Sequence, residues 1–330
     1  MGPINFPYGV SSMGAMYGLP MIRGQWFFVN PDTTADGSQN VYWGSSGNDG
    51  ASTISPFASI KSAYDACVSG RGDGICLLGG GTSTAENTSY LTASLTWTKS
   101  AITTMGVCAP TRFSQRARIS TAAANLANLI TVSGDNNAFY NVSLYNGGTT
   151  GAGGMMVSGK RNYFGNVHFM GGMGMTTPTI TDYSLYISGG EENTFEKCVV
   201  GSDTFDKTDI AGAELLLGGG ALRNRFYDTE FVSFRSAGTT AGLIKLVGSG
   251  DCITRTHLFK DCFFQMYRDG AVPSEVGVVI GTMPNNGMIV FQNCVRHGFT
   301  DWCTTATNRI FSASATLHES GGLAQAANPS

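Results

Sequence analysis

The chain has 330 residues, enough for one large domain or two, with a formal net charge of −3 and only 13% charged residues. That balance leaves no basic footprint for nucleic acid, and no apolar run approaches the roughly 20 residues of a membrane-spanning helix. The 45 glycines suit a fold built from many tight corners with a Ser/Thr/Asn surface.

Residues 1–24 carry Pro3, Pro7 and Pro20 among several glycines, which excludes a long helix. They are nevertheless too apolar for an idle solvated tail. The expectation is an extended arm that gains order on a partner surface through Ile4, Phe6, Tyr8, Met13, Met16, Tyr17, Leu19 and Met21. The alternative is an arm folded back on its own domain. No charged stretch followed by an apolar core marks a secretory signal, and Gly2-Pro3 does not fit myristoylation.

The main body is expected over residues 25–298. Trp26–Val29 reads as a strand, and Pro56–Val68 as a short amphipathic helix that caps an open sheet end. Gly72-Asp73-Gly74 is a turn into the strand Ile75–Leu78. Arg71-Gly72-Asp73 matches an adhesion tripeptide, but the turn explains it. Asn87 and Asn141 head glycosylation triplets with no secretory route in evidence. Leu95–Trp97, Ile102–Val107 and Ile119 read as irregular early strands.

From residue 137 one phrase recurs, Asn-x-Phe-x-Asn/Asp-Val/Cys-x-Phe. Its copies start at Asn137, Asn162, Asn193, Asn224, His257 and Ile289, spaced 25, 31, 31, 33 and 32 residues. Each copy follows an apolar run ending in small residues, as in Ile130–Gly134 and Leu185–Gly189. The strands alternate with period two, and the long period marks a solenoid. The prediction is an all-β, right-handed parallel β-helix with a short N-terminal capping helix. Phe139, Phe164, Phe195, Phe226, Phe259 and Phe291 should stack on one inner wall, with coils about 4.8 Å apart.

Asn141, Asn166, Asp228, Asp261 and Asn293 then share one corner, read as a stacked amide ladder in preference to a metal or sugar site. Of eight cysteines, Cys198, Cys262 and Cys294 hold the inward place of Val142 and Val167, so they read as reduced core thiols. Length variation at 170–183, 201–212, 233–242 and 266–275 places loops with Met170, Met173, Met175, Phe205, Phe234 and Tyr267 on one flank. Residues 299–330 leave the pattern and read as a C-terminal cap and tail.

Trp26–Val29, Asn48–Gly50, Pro56–Ile60 and Gly72–Ile75 resemble the entry segment of pectin-lyase-like β-helix proteins, and the coil phrases extend that resemblance over roughly residues 25–298. The fold hosts lyases, hydrolases and non-enzymatic virion proteins, so it implies no single chemistry. The arm Asn5–Gly14 resembles the N-termini of tailed-phage head-decoration proteins. That resemblance implies a cement protein on the capsid exterior, made in the host cytoplasm, with the major capsid protein as partner.

A glycan-active enzyme needs clustered acids, or acids with Arg or Lys, on an outer strand face; glycosidase carboxylates lie roughly 5–9.5 Å apart. The outward place after the Asn/Asp corner reads Ser143, His168, Val199, Glu230, Phe263, Val295, with no second acid. Glu230 and His168 are two coils apart, about 10 Å. Asp228 is the nearest companion to Glu230, and the loop acids Asp203, Asp206 and Asp209 could build a site. A lone His168 reads as a packing residue. Val199, Glu230, Phe263 and Val295 suggest a subunit seam, hence a homotrimer. The expectation is a structural capsid-decorating protein without catalytic residues, metal or cofactor; the alternative is a tailspike or glycan-active lyase or hydrolase.

Overall fold

A computed structural model describes residues 22–33, 43–79, 83–122, 126–148, 153–172, 182–206, 212–235, 242–248, 250–268, 276–280, 286–299, 301–303, 309–317 and 323–327. The arm residues Ile4 to Met21, and Met173, Met175 and Asp209, lie outside these.

The described strands fall into three sheets, one of twelve strands (sheet A) and two of eight (sheets B and C). The chain visits them in rotation. One coil runs Asn128–Val132 in C, Ala138–Tyr140 in A and Ser143–Tyr145 in B, and the next repeats it. Every pairing is parallel except the closing one, Ile310–Leu317 with Leu323–Ala327. Parallel strands joined by crossovers of one hand give the right-handed parallel β-helix.

The register is set by the inward side chains. Phe139, Phe164, Phe195, Phe226, Phe259 and Phe291 are direct partners in successive strands of sheet A. Their rings lie 5.3, 4.7, 4.6, 4.5 and 5.2 Å apart, and the first four pairs are within 10° of parallel. All six are fully buried. Slipping one strand by a residue would turn its phenylalanine to solvent, forfeiting roughly 1.5–3 kcal/mol of burial.

The corner between sheets A and B is two residues long in these coils. Its first residue adopts the left-handed conformation: Asn141, Asn166, Lys197, Asp228, Asp261 and Asn293 have φ between 45 and 54–55°. Asparagine tolerates that region best, which is why it recurs there. The predicted ladder forms only at its ends, Asn166 to Asn141 at 2.9 Å and Asn293 to Asp261 at 2.6 Å. Lys197 interrupts it, and Asp228 bonds elsewhere.

The buried ladder is instead made by the first asparagine of each phrase. The backbone N–H of Ile102, Asn137, Asn162 and Asn193 each donates to the side-chain oxygen one coil on, in Asn137, Asn162, Asn193 and Asn224, at 2.8–3.0 Å. These side chains satisfy the orphaned donors of a corner that no water reaches. His257 takes the next place, with Nε2 donating to the Ala221 carbonyl at 3.0 Å.

The ends differ from expectation in one respect. Helix Ile60–Ala66, capped by Ser59, plugs the N-terminal opening with Tyr64 packed 4.4 Å from Trp97. Lys99 Nζ binds the carbonyls of Tyr64, Asp65 and Cys67 at 2.7–2.8 Å, completing the helix C-terminus. At the other end the solenoid continues past residue 298. Asp301–Cys303 joins sheet C and Ile310–Leu317 joins sheet A. There the phenylalanine phrase is gone, and Trp302 stacks on Phe291 at 3.9 Å in its place.

Asp73 is buried and accepts from Gln25 N, Val68 N and Arg71, so the Arg-Gly-Asp tripeptide is a structural corner. Cys198 and Cys262 are buried in the core, where burial pushes the Cys198 thiol up to about 12. Ile22 packs on Trp26, Phe28 and Cys76, so the last stretch of the arm lies on its own domain.

Asn193→Leu should lower the unfolding free energy by about 2–5 kcal/mol, since it orphans Asn162 N–H and the Gly159 carbonyl. Lys160→Ala, which breaks an ion pair at an exposed corner, should cost under about 1 kcal/mol. Urea titration separates them; equal losses would contradict the ladder's role.

Candidate active site

In one early coil the two-residue corner between sheets A and B is replaced by the ten-residue segment 108–117, between strands Thr103–Val107 and Arg118–Thr121. This segment forms a strap that climbs across later coils. Asn141 Nδ2 donates to the Cys108 carbonyl at 3.0 Å, and Gln115 Nε2 to the Asn166 carbonyl at 2.9 Å. Ser114 N–H donates to His168 Nδ1 at 3.0 Å, and the Phe113 ring meets the imidazole edge-on at 5.5 Å. Beyond them Arg112 reaches the coil of Asp228 and Glu230.

There Arg112 Nη2 contacts Asp228 Oδ1 at 2.8 Å and Nη1 contacts Glu230 Oε1 at 2.9 Å. Arg112 also donates to the Asp228 carbonyl. Burial works against the Arg112 charge, but the hydrogen bond and field of Asp228, with Glu230, leave its pKa above the ordinary value. The cluster is solvent-facing, with side chains 33% (Arg112), 52% (Asp228) and 18% (Glu230) exposed. Its net formal charge is negative. One guanidinium thus brings together two carboxylates, the pair of groups that glycosidases use.

A cleft of about 320 Å³ adjoins the strap. Phe113 and Ser114 form one wall, His168 and Met170 the floor, and Ser202, Asp203, Thr204 and Phe205 the other wall. Its size is at the lower end of small-ligand sites. Gly201, at the start of the far wall, has φ 104° and sits where a Cβ would meet the Val232 carbonyl. Its own carbonyl accepts from His168 Nε2 at 2.8 Å.

His168 is thus occupied at both nitrogens. Burial holds its pKa down at about 4, so the imidazole is neutral and fastens the strap to the wall. It is not placed to shuttle protons. Among the described residues no group of three or more His, Cys, Asp and Glu side chains is arranged to hold a metal ion.

The sequence-level outward column therefore changes meaning. Val199, between His168 and Glu230 in register, is buried within its own chain, and Glu230 is engaged by Arg112. Phe263 is half-buried, and Val295 alone of the four is an exposed apolar side chain, at 59%. These positions do not make a continuous apolar seam. Asp228, the nearest companion to Glu230 in the sequence, is not part of the corner ladder: Arg112 joins the two carboxylates. Sequence reading missed Arg112, Phe113 and Ser114. The available signal was length, a ten-residue gap where the six later coils use two.

No protein-family model and no curated protein matches the chain. Solved structures do match. A pectin methylesterase in complex with a hexasaccharide aligns at TM-score 0.50 and 17% identity, covering 92% of this chain and 85% of that one. A rhamnogalacturonan lyase aligns at TM-score 0.49 and 14% identity, over 83% and 68%. The pectin methylesterase PemA from Erwinia chrysanthemi aligns at 0.45 and 15%, over 92% and 85%. At these identities the likeness establishes the pectin-lyase-like β-helix fold. The expectation of a non-enzymatic capsid-decorating protein is corrected: the neighbour at TM-score 0.50 is a pectin methylesterase, and the likeness gives that expectation no support.

Burial lowers the pKa of both His168 and His257 to about 4, below the ordinary 6.5. Below 6.5 the unfolded chain takes up protons that the folded chain refuses. Stability should therefore be full above about pH 6.5 and fall as pH drops toward 4, by on the order of 3 kcal/mol per histidine. Denaturant midpoints across that range check this, and His168→Leu should reduce the slope.

Proposed function

We propose that this protein is a glycan-active β-helix enzyme that cleaves glycosidic bonds on the outer face of sheet B. The observation that carries this reading is the carboxylate pair Asp228 and Glu230, held by Arg112, the strap residue next to the cleft-lining Phe113. Glycosidic cleavage needs a proton delivered to the leaving oxygen and a second carboxylate that activates water or attacks the sugar. Asp228 and Glu230 supply two such groups on a rigid strand and its corner. Glu230 is the more enclosed and is assigned the proton transfer. Arg112 is a positioning residue, fixing the two carboxylates relative to each other. Phe113 and Phe205 offer apolar faces for a sugar ring, and Ser202 and Thr204 offer hydroxyls to its polar edge. A pectin methylesterase with a bound hexasaccharide carries the same fold, so this scaffold can present a glycan-binding face.

The test is release of reducing ends from a panel of plant and bacterial polysaccharides by the purified protein. Glu230→Gln should lower turnover by about 10²–10⁴-fold while leaving the unfolding temperature within a few degrees of the parent. Arg112→Lys, which loses the planar fork, should lower turnover less and leave folding intact. Absence of turnover across the panel, or an undiminished Glu230→Gln enzyme, would overturn the assignment.

A further inference from the structure

Building on the reading of this face as a glycan site, we propose that the sugar seated in the cleft is uncharged, so that the substrate is a neutral glycan rather than a polyuronate. A uronate carboxylate needs a cation to replace its lost hydration. Among the residues lining the cleft the one formal charge is Asp203, which is negative, exposed and accepts from Thr204 Oγ1 at 3.2 Å. The floor imidazole of His168 has Nδ1 filled by Ser114 N–H and Nε2 turned to the Gly201 carbonyl, so it presents no cation.

Two nearby guanidinium groups are committed. Arg112 spans Asp228 and Glu230, a cluster whose net charge is itself negative. Arg118 is turned onto the strap, with Nε donating to the Gln115 carbonyl at 3.1 Å and Nη2 to the Ser114 carbonyl at 3.3 Å. Arg116 is exposed and does not line the cleft. Among the described residues that line the cleft, an anionic sugar would therefore meet Asp203 and no cation. An uncharged ring meets complementary groups: its apolar face lies on Phe113 or Phe205, and its hydroxyls donate to Asp203 and bond Ser202 and Thr204.

The experiment is calorimetric titration of the Glu230→Gln protein, which still has the cleft but turns over slowly. Oligogalacturonate is compared with neutral gluco-, galacto- and xylo-oligosaccharides of equal length, at low and high salt. Loss of the Glu230 charge favours the anionic ligand, so the comparison is biased against the proposal. At low salt at least one neutral ligand should bind on the order of tenfold more tightly than oligogalacturonate. Added salt should narrow the gap by screening repulsion, and Asp203→Lys should narrow it further. Tighter binding of oligogalacturonate at low salt, or cleavage of polygalacturonate in preference to every neutral glycan, would overturn the charge assignment while leaving the glycan-active reading in place. Failure of the parent protein to cleave and of the variant to bind any glycan would sink both.

Discussion

Coil must sit on coil. Each turn of the chain contributes one inward phenylalanine, and the ring finds its place against the ring of the turn before it. That requirement fixes the register of sheet A, and the short corners carry the same register into sheet B. The buried asparagine column enforces it a second time, through backbone donors that have no other partner. A surface built this way is rigid, and residues in one outward column stand at the coil spacing of about 4.8 Å.

Rigidity of the wall is what gives the strap its use. A ten-residue excursion is anchored at Asn141, Asn166 and His168, three points of fixed spacing, before it delivers Arg112 to Asp228 and Glu230. The guanidinium comes from more than a hundred residues earlier in the chain. The same excursion raises the wall of the cleft, through Phe113. A single insertion thus creates both the concavity and the charged cluster. This matches the general pattern in which a regular scaffold holds still and irregular segments carry chemistry.

Much of the fold was legible because it repeats. The Phe139-to-Phe291 series follows from a pattern written six times, and the capping helix from the amphipathic run Pro56–Val68. Burial and ion pairing are what the repeat does not encode. Asn137, Asn162, Asn193 and Asn224 were seen only as the start of a phrase, because burial of that corner depends on how tightly coils pack. Asp228 was assigned to the ladder by position, whereas its carboxylate follows the nearest cation. Val199 sits on an outward register and was read as a seam residue, yet it is enclosed within the chain. Asp301–Cys303 and Ile310–Leu317 lack the phrase but keep the sheet pairing, and Trp302 stacks on Phe291. The site was illegible for one physical reason: Arg112 meets Glu230 through a loop path that no local periodicity encodes.

The most direct test of the glycan site is a crystal structure of the Glu230→Gln protein with a bound neutral oligosaccharide. The expected result is a sugar ring between Phe113 and Phe205, with the adjoining glycosidic oxygen within hydrogen-bond reach of residue 230. An oligosaccharide bound on the outer face of sheet A or sheet C, with the strap and the Arg112 cluster untouched, would contradict it.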